Sequence, residues 1–262
     1  MRSRYLFKHG WEQEYDRLQL LQETFDPASL AYLEALPLSP GGRCLEIGGG
    51  AGSVARWMCR RMGPTGRVVA TDVEPDFLEM LSEDNLEIRR HDIAVDDVEQ
   101  DAFDLIHARL VLSHLPDRDV ILRRIAGALR PGGWLVVEEF DFDSIKPAPG
   151  CVSRPLLERA HDVFIGALER AGYDRQYGRR LPLEFRALGL EDVGAEGRAP
   201  IALRGTAAAD WWRMNLLKVR PAMIAAGLTD AEADEVIGLT DHDDFCLQYP
   251  VLVSTWGRRP GG

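Results

Sequence analysis

The chain has 262 residues, and at about 150 residues per domain this length predicts one compact body with an appended piece. Hydrophobic residues at 45% and charged residues at 28%, with 25 glycines and 15 prolines spread without a period, exclude a disordered or fibrous protein. The 31 basic and 42 acidic side chains leave a formal charge of -11, which repels a polyanion and excludes nucleic acid as the expected partner. The basic start MRSRYLFKHGWEQEYDR has no apolar run behind it, and no stretch approaches the ~20 apolar residues that cross a bilayer. A cytoplasmic protein without a membrane partner is the expectation. Cys44, Cys59, Cys151 and Cys246 lie far apart without a CxxC pair, which predicts reduced thiols, no zinc site and no metal.

In chain order, an amphipathic stretch from Trp11 to Phe25 is expected to form a helix ahead of the first strand. From Arg43 to Glu139, short apolar runs alternate with helical patterns, the signature of a parallel sheet covered by helices. RCLEI (43–47) reads as the first strand, closed by Gly48, Gly49, Gly50 and Gly52 before a helix near Ser53. RVVATD is the second strand, ending in Asp72, and Pro75 opens the next helix, where its missing N–H costs nothing. LEIRRHDI, FDLIHARLVL and WLVVEEF read as the third, fourth and fifth strands, the last preceded by a helix over 119–129. A proline-rich break, KPAPG, then leads to a helical stretch at 152–171 that reads as an inserted cap, and YGRRLP reads as part of it. The segment 191–205 reads as strand, 207–239 as helical, and CLQYPVLVSTWGRRP as the last strand.

Glu46, Gly48, Gly50 and Gly52 form ExGxGxG where strand passes to helix, where a glycine backbone can approach a ligand that a Cβ would obstruct. Gly50, Gly52 and Ala55 also satisfy the dinucleotide pattern GxGxxA, with Asp72 about twenty residues further on, so glycine spacing alone does not choose. Glu46 discriminates: a phosphate loop gains nothing from a carboxylate there, whereas a ligand with an ammonium and a sulfonium is favoured by charge pairing. This points to S-adenosylmethionine over NAD.

LEIGGGAG, VVATD, RHDI, FDLIHARLVLSHL and LRPGGWLVVEE resemble, in order, the successive motifs of class I S-adenosylmethionine-dependent methyltransferases, over about residues 40–140. The resemblance implies an α/β fold with a Rossmann-like, doubly wound, seven-stranded sheet, mostly parallel with the last strand antiparallel. It implies one domain over 1–262, with N-terminal lid helices (1–40), a cofactor core (41–140), a cap (141–190) and the last strands with a helical insertion (191–262). It further implies that Gly48, Gly49, Gly50 and Gly52 wrap the methionine and ribose, and that Asp72 accepts both ribose hydroxyls. Val73 would lie against the adenine, Asp92 would receive the adenine amino group, and Ile93 would pack on the ring. His107 to Leu110, Ala108 and Arg109 included, would back the methionine moiety.

The acceptor is left open, because the methyl group arrives activated and the chain must mainly orient a nucleophile. If a base is needed, His107, His114 and His161 are the candidates, with Tyr173 and Tyr177 as orienters. His107 and Arg109 either face the active-site edge or serve the scaffold. Tyr5, His9, Trp11, Tyr15 and Arg17 form an N-terminal group suited to closing over a cofactor, and Arg17 could pair with its carboxylate. Phe142, Phe164, Tyr173, Tyr177, Trp211, Trp212, Met214 and Phe245 make a small apolar or aromatic metabolite the expected acceptor. A modified peptide is a second acceptor class, and a nicotinamide-dependent oxidoreductase is the rival enzyme class. A homodimer is one possible assembly, and the sequence leaves the oligomeric state open.

Overall fold

The structure, a computed structural model, describes residues 12–261. Its elements in chain order are α1 (Glu14–Ala35), β1 (Arg43–Ile47), α2 (Ser53–Met62), β2 (Arg67–Asp72), β3 (Leu86–Arg90), β4 (Phe103–Arg109), α3 (Arg118–Ala128) and β5 (Leu129–Asp141). There follow β6 (Lys146–Pro147), α4 (Arg154–Arg170), α5 (Tyr177–Ala187), β7 (Glu191–Arg198), β8 (Ile201–Leu203), α6 (Ala207–Ala225), α7 (Asp230–Gly238), β9 (Cys246–Gln248) and β10 (Val251–Arg258). These fall into two compact units. One holds the described part of residues 1–25 with Phe140–Gln176 and Arg198–Leu252; the other holds Asp26–Glu139, Tyr177–Gly197 and the chain from Val253. The division passes through α1 beside Pro27, a residue with no amide to give the helix.

The second unit is the expected α/β body. Its seven strands run in the order β3-β2-β1-β4-β5-β10-β7, mostly parallel, with the last strand antiparallel. Strands buried on both faces read as continuous apolar runs, and alternate residues here serve opposite faces. Leu45, Val69 and Ile106 pack with Ile121, Leu122 and Ile125 of α3. Cys44, Val68 and Leu105 pack with Val54, Trp57 and Met58 of α2 and Leu33 of α1. The segment YGRRLP, read from the sequence as cap, opens α5 and belongs to this unit. Tyr177, Leu181 and Phe185 recur every fourth residue and enter the core beside α3, a stripe strong enough to carry the helix through Pro182.

Two segments read as single strands each divide at a proline. Residues 191–205 split at Pro200 into β7 and β8, and 246–258 split at Pro250 into β9 and β10. A proline cannot donate into a ladder, so at each break the chain leaves one sheet for another. The Tyr249 amide donates to the Pro200 carbonyl at 2.9 Å and ties the two breaks together.

The first unit is built on the antiparallel sheet β6-β9-β8 and the helices α4, α6 and α7. Its core is aromatic. Phe25 meets Phe140 and Trp211 edge-on, at ring distances of 5.3 and 5.5 Å, and Phe142 meets Phe164 and Tyr173 at 5.9 and 5.5 Å. The helical stretch 207–239 is cut by Gly227 (φ +120°) and restarted by Thr229, whose hydroxyl and amide exchange hydrogen bonds with Glu232 in a capping box. No helix among the described residues is long and apolar enough to cross a membrane.

Candidate active site

In the second unit the strand order turns back between β1 and β4, so their carboxyl ends open a crevice, the position where open α/β sheets bind ligands. The glycine loop leaves β1 there. The Gly48 and Gly49 amides both donate to the Thr71 carbonyl, at 2.8 and 3.0 Å. Gly48 (φ +68°) has a second constraint: a Cβ on it would sit 2.4 Å from Val111, in the loop after β4. A Cβ on Gly52 (φ +84°) would sit 2.5 Å from Leu81. Glycine is thus required as much by neighbouring side chains as by any ligand.

Asp72 closes the same crevice from the end of β2. It is buried, and its Oδ2 accepts the Gly50 amide and its Oδ1 the Glu74 amide, each at 3.0 Å. One carboxylate therefore fixes the glycine loop and its own following turn. Val73 beside it is 47% exposed. Beyond β3, Asp92 is half-buried and shapes its turn by accepting the Ala94 amide at 2.9 Å, while Ile93 is buried.

Glu46 and His107 are opposite each other in the β1–β4 ladder. His107 Nδ1 lies 2.7 Å from Glu46 Oε2, and its Nε2 lies 3.1 Å from Glu138 Oε2 on β5; the Ser254 hydroxyl donates to the other Glu138 oxygen. All three ionisable groups are buried. Burial alone would keep the imidazole neutral, but carboxylates on both sides outweigh it and push the pKa up to about 9, so the ring is a cation at neutral pH. Burial likewise opposes the charge on Glu138, yet His107, Arg109 and Ser254 prevail and hold it down at about 2. At Glu46 burial wins, and its carboxyl stands above the usual range in spite of the ring. The carboxylate that the sequence reserves for a cationic ligand thus has a cationic partner within the chain. Ala108 is buried between His107 and Arg109, whose guanidinium binds Asp26 and the Ser29 hydroxyl, both at 2.9 Å.

Glu139 is a site-shaping residue that sequence reasoning missed. Its Oε1 accepts the amides of Val111, Leu112 and Ser113, at 3.0, 2.7 and 3.2 Å, and its Oε2 accepts the Ser113 hydroxyl at 2.6 Å. Burial nevertheless pushes its pKa up to about 7. It holds the turn Leu112–His114, which follows Leu110, a non-glycine residue at φ +58° whose amide donates to the Glu138 carbonyl. His114 is half-buried in that turn. The available signal was two consecutive carboxylates, Glu138 and Glu139, inside an otherwise apolar strand, since buried charges need partners.

The remaining candidates lie in the first unit. Arg17 makes a bidentate pair with Glu14 at 2.7 and 2.9 Å and reaches Asn215 at 3.2 Å, while Lys218 also pairs with Glu14. Burial opposes the Glu14 charge, but the two cations outweigh it and lower its pKa. Tyr15 is half-buried on α1. His161 on α4 has Nδ1 3.3 Å from Asp162, and burial lowers its pKa. Tyr5, His9 and Trp11 lie outside the described residues.

The methyltransferase-domain family matches residues 18–191, more than half of the chain. Methyltransferase str2 of Strobilurus tenacellus is 30% identical over 177 residues, 65% of this chain and 61% of that protein. The ubiquinone/menaquinone biosynthesis C-methyltransferase UbiE of Hahella chejuensis is 30% identical over 132 residues, 47% of this chain and 49% of that protein. The chain thus spans between about half and three fifths of these relatives' lengths. Among solved structures, Haemonchus contortus phosphoethanolamine N-methyltransferase 2 with S-adenosyl-L-methionine superposes with a TM-score of 0.51 at 17% identity, covering 99% of this chain and 56% of that one. YcgJ of Bacillus subtilis gives 0.57 at 13% identity, covering 88% and 97%. In fold and in sequence, the chain belongs to the methyltransferase-domain family, of the class I S-adenosylmethionine-dependent type.

Proposed function

We propose that this chain transfers the methyl group of S-adenosylmethionine to an oxygen, nitrogen or carbon of a small metabolite, apolar or aromatic in character. The observation that carries the reading is Asp72. A carboxylate offers about four lone-pair sites; the Gly50 and Glu74 amides use two, which leaves two for a pair of ribose hydroxyls in the β1–β4 crevice. The donor set fits the rest of the cofactor as well. Val73 offers exposed apolar surface and Ile93 a buried apolar side chain on either side of the adenine position, and Asp92 offers an acceptor for its amino group. The glycine loop and the stretch through Ala108 and Arg109 are proposed to hold the methionine end.

S-adenosylmethionine, when bound, supplies a methyl group already activated by its sulfonium charge. The work of the chain is to orient the acceptor, which in favourable intramolecular cases lowers a barrier by roughly 7 to 11 kcal/mol. His107 takes the scaffold role, since both its ring nitrogens face carboxylates and neither is open to an acceptor's proton. Proton transfer, for acceptors that require it, falls to His114. UbiE, named for quinone biosynthesis, supports an apolar, ring-bearing acceptor. The same reading treats the chain as one methyltransferase domain of secondary metabolism, cytoplasmic and homodimeric.

Titration with S-adenosylhomocysteine and, separately, NADH tests the reading. S-adenosylhomocysteine is expected to bind and raise the Tm, and NADH to do neither. The reverse result would sink the proposal in favour of an oxidoreductase.

A further inference from the structure

Three hydrogen bonds lay the segment before α4 against β9 and the turn that precedes it. The Ala148 amide donates to the Cys246 carbonyl at 3.0 Å and the Val152 amide to the Asp244 carbonyl at 3.3 Å. Between them, the Cys246 amide donates to the Cys151 sulfur at 3.3 Å. The register of β6 on β9, Lys146 with Gln248 and Pro147 with Leu247, sets Ala148 opposite Cys246 as the next rung. The Ala148 carbonyl would be the ordinary acceptor for the Cys246 amide, but it receives the Cys151 amide at 3.1 Å. A thiol fills the vacated place in the ladder.

This arrangement brings two cysteines, 95 positions apart in the chain, to one rung. A sulfur 3.3 Å from the Cys246 nitrogen lies within about 4.8 Å of the Cys246 Cα, given an N–Cα bond of about 1.46 Å. The Cys151 sulfur is thus held beside the Cys246 backbone, within reach of a rotated Cys246 side chain, and the bond itself would need the two Cα atoms to stand roughly 4.4 to 6.8 Å apart. Both thiols are free, Cys151 buried and Cys246 half-buried, so a small oxidant meets Cys246 first.

We propose that Cys151 and Cys246 form a reversible oxidation site, cross-linked by a small disulfide of the glutathione class, that staples the segment before α4 to β9. The Cys246 thiolate attacks one sulfur of the oxidant and expels one small thiolate. Cys151 then gives up its proton, attacks the Cys246 sulfur and expels the second. Two protein thiols and one oxidant disulfide become one protein disulfide and two small thiols, with the protein oxidised and the reagent reduced. Cys44 and Cys59 do not compete, because burial pushes both thiols up, Cys59 to about 11, and keeps them protonated.

The test incubates the full chain with glutathione disulfide in mildly alkaline buffer, quenches with acid and maps the peptides by mass spectrometry. The expected product is lighter by about two mass units, carries a Cys151–Cys246 linked peptide and keeps Cys44 and Cys59 reduced. Its Tm should rise by roughly 5 to 10 °C and return with dithiothreitol. In Cys151→Ser, the reaction should stop at a glutathione adduct on Cys246. A wild-type chain that also stops at that adduct, or that links other cysteines, overturns the proposal.

Discussion

The two units use buried charge over very different spans of sequence. In the second unit Asp72 reaches the Gly50 amide 22 residues away, and Glu46 meets His107 61 residues away, both through neighbouring strands of one sheet. In the first unit Arg17 reaches Asn215 across 198 residues, and Lys218 reaches Glu14 across 204. Strand-end chemistry rests on a local repeat of strand, turn and helix, whereas the first unit's charge cluster exists only once distant segments have met.

The sharpest way to strain this contrast is His107→Ala. It leaves Glu46 and Glu138 buried without their shared cation and should cost about 3 to 5 kcal/mol in urea unfolding. The same ring sets a pH dependence. Its folded pKa of about 9 stands above the ordinary 6.5, so its stabilisation is full below 6.5 and is lost as pH rises through about 9. The wild-type chain should weaken across that window; a flat wild-type profile would mean that the ring is neutral.

Phe142→Ala probes the first unit, removing ring contacts with Phe140, Phe164 and Tyr173 at an expected cost of about 3 kcal/mol. Calorimetry should show one transition moved down. Two separated transitions would establish that the units melt independently. The smallest effect is expected from Asp72→Ala, which should weaken S-adenosylhomocysteine binding by about 1 to 3 kcal/mol. Unchanged affinity would reduce Asp72 to a brace for the Gly50 and Glu74 amides.

Much of the second unit was legible. The strands β1, β2, β4 and β5 read as apolar runs because both their faces are covered, and the glycines and Asp72 mark the strand ends. The role of Glu46 was only half legible, since its partner His107 is set by the β1–β4 register, which spacing does not state. Helix α5 was hidden by the arginines and Pro182 of YGRRLP, although Tyr177, Leu181 and Phe185 carried its period. The sheet β6-β9-β8 was hidden because its strands have two or three residues, too few to show alternation.

The loop that follows β4 has one more consequence. Leu110 sits at φ +58°, where a side chain other than glycine is disfavoured, and it is kept there by the Glu138 carbonyl on its amide and by the Glu139 grip on the next three residues. The ordering entropy of this loop is therefore spent during folding, before any ligand arrives. A ligand seated beside it meets a preorganised wall and binds without the penalty of freezing a mobile one.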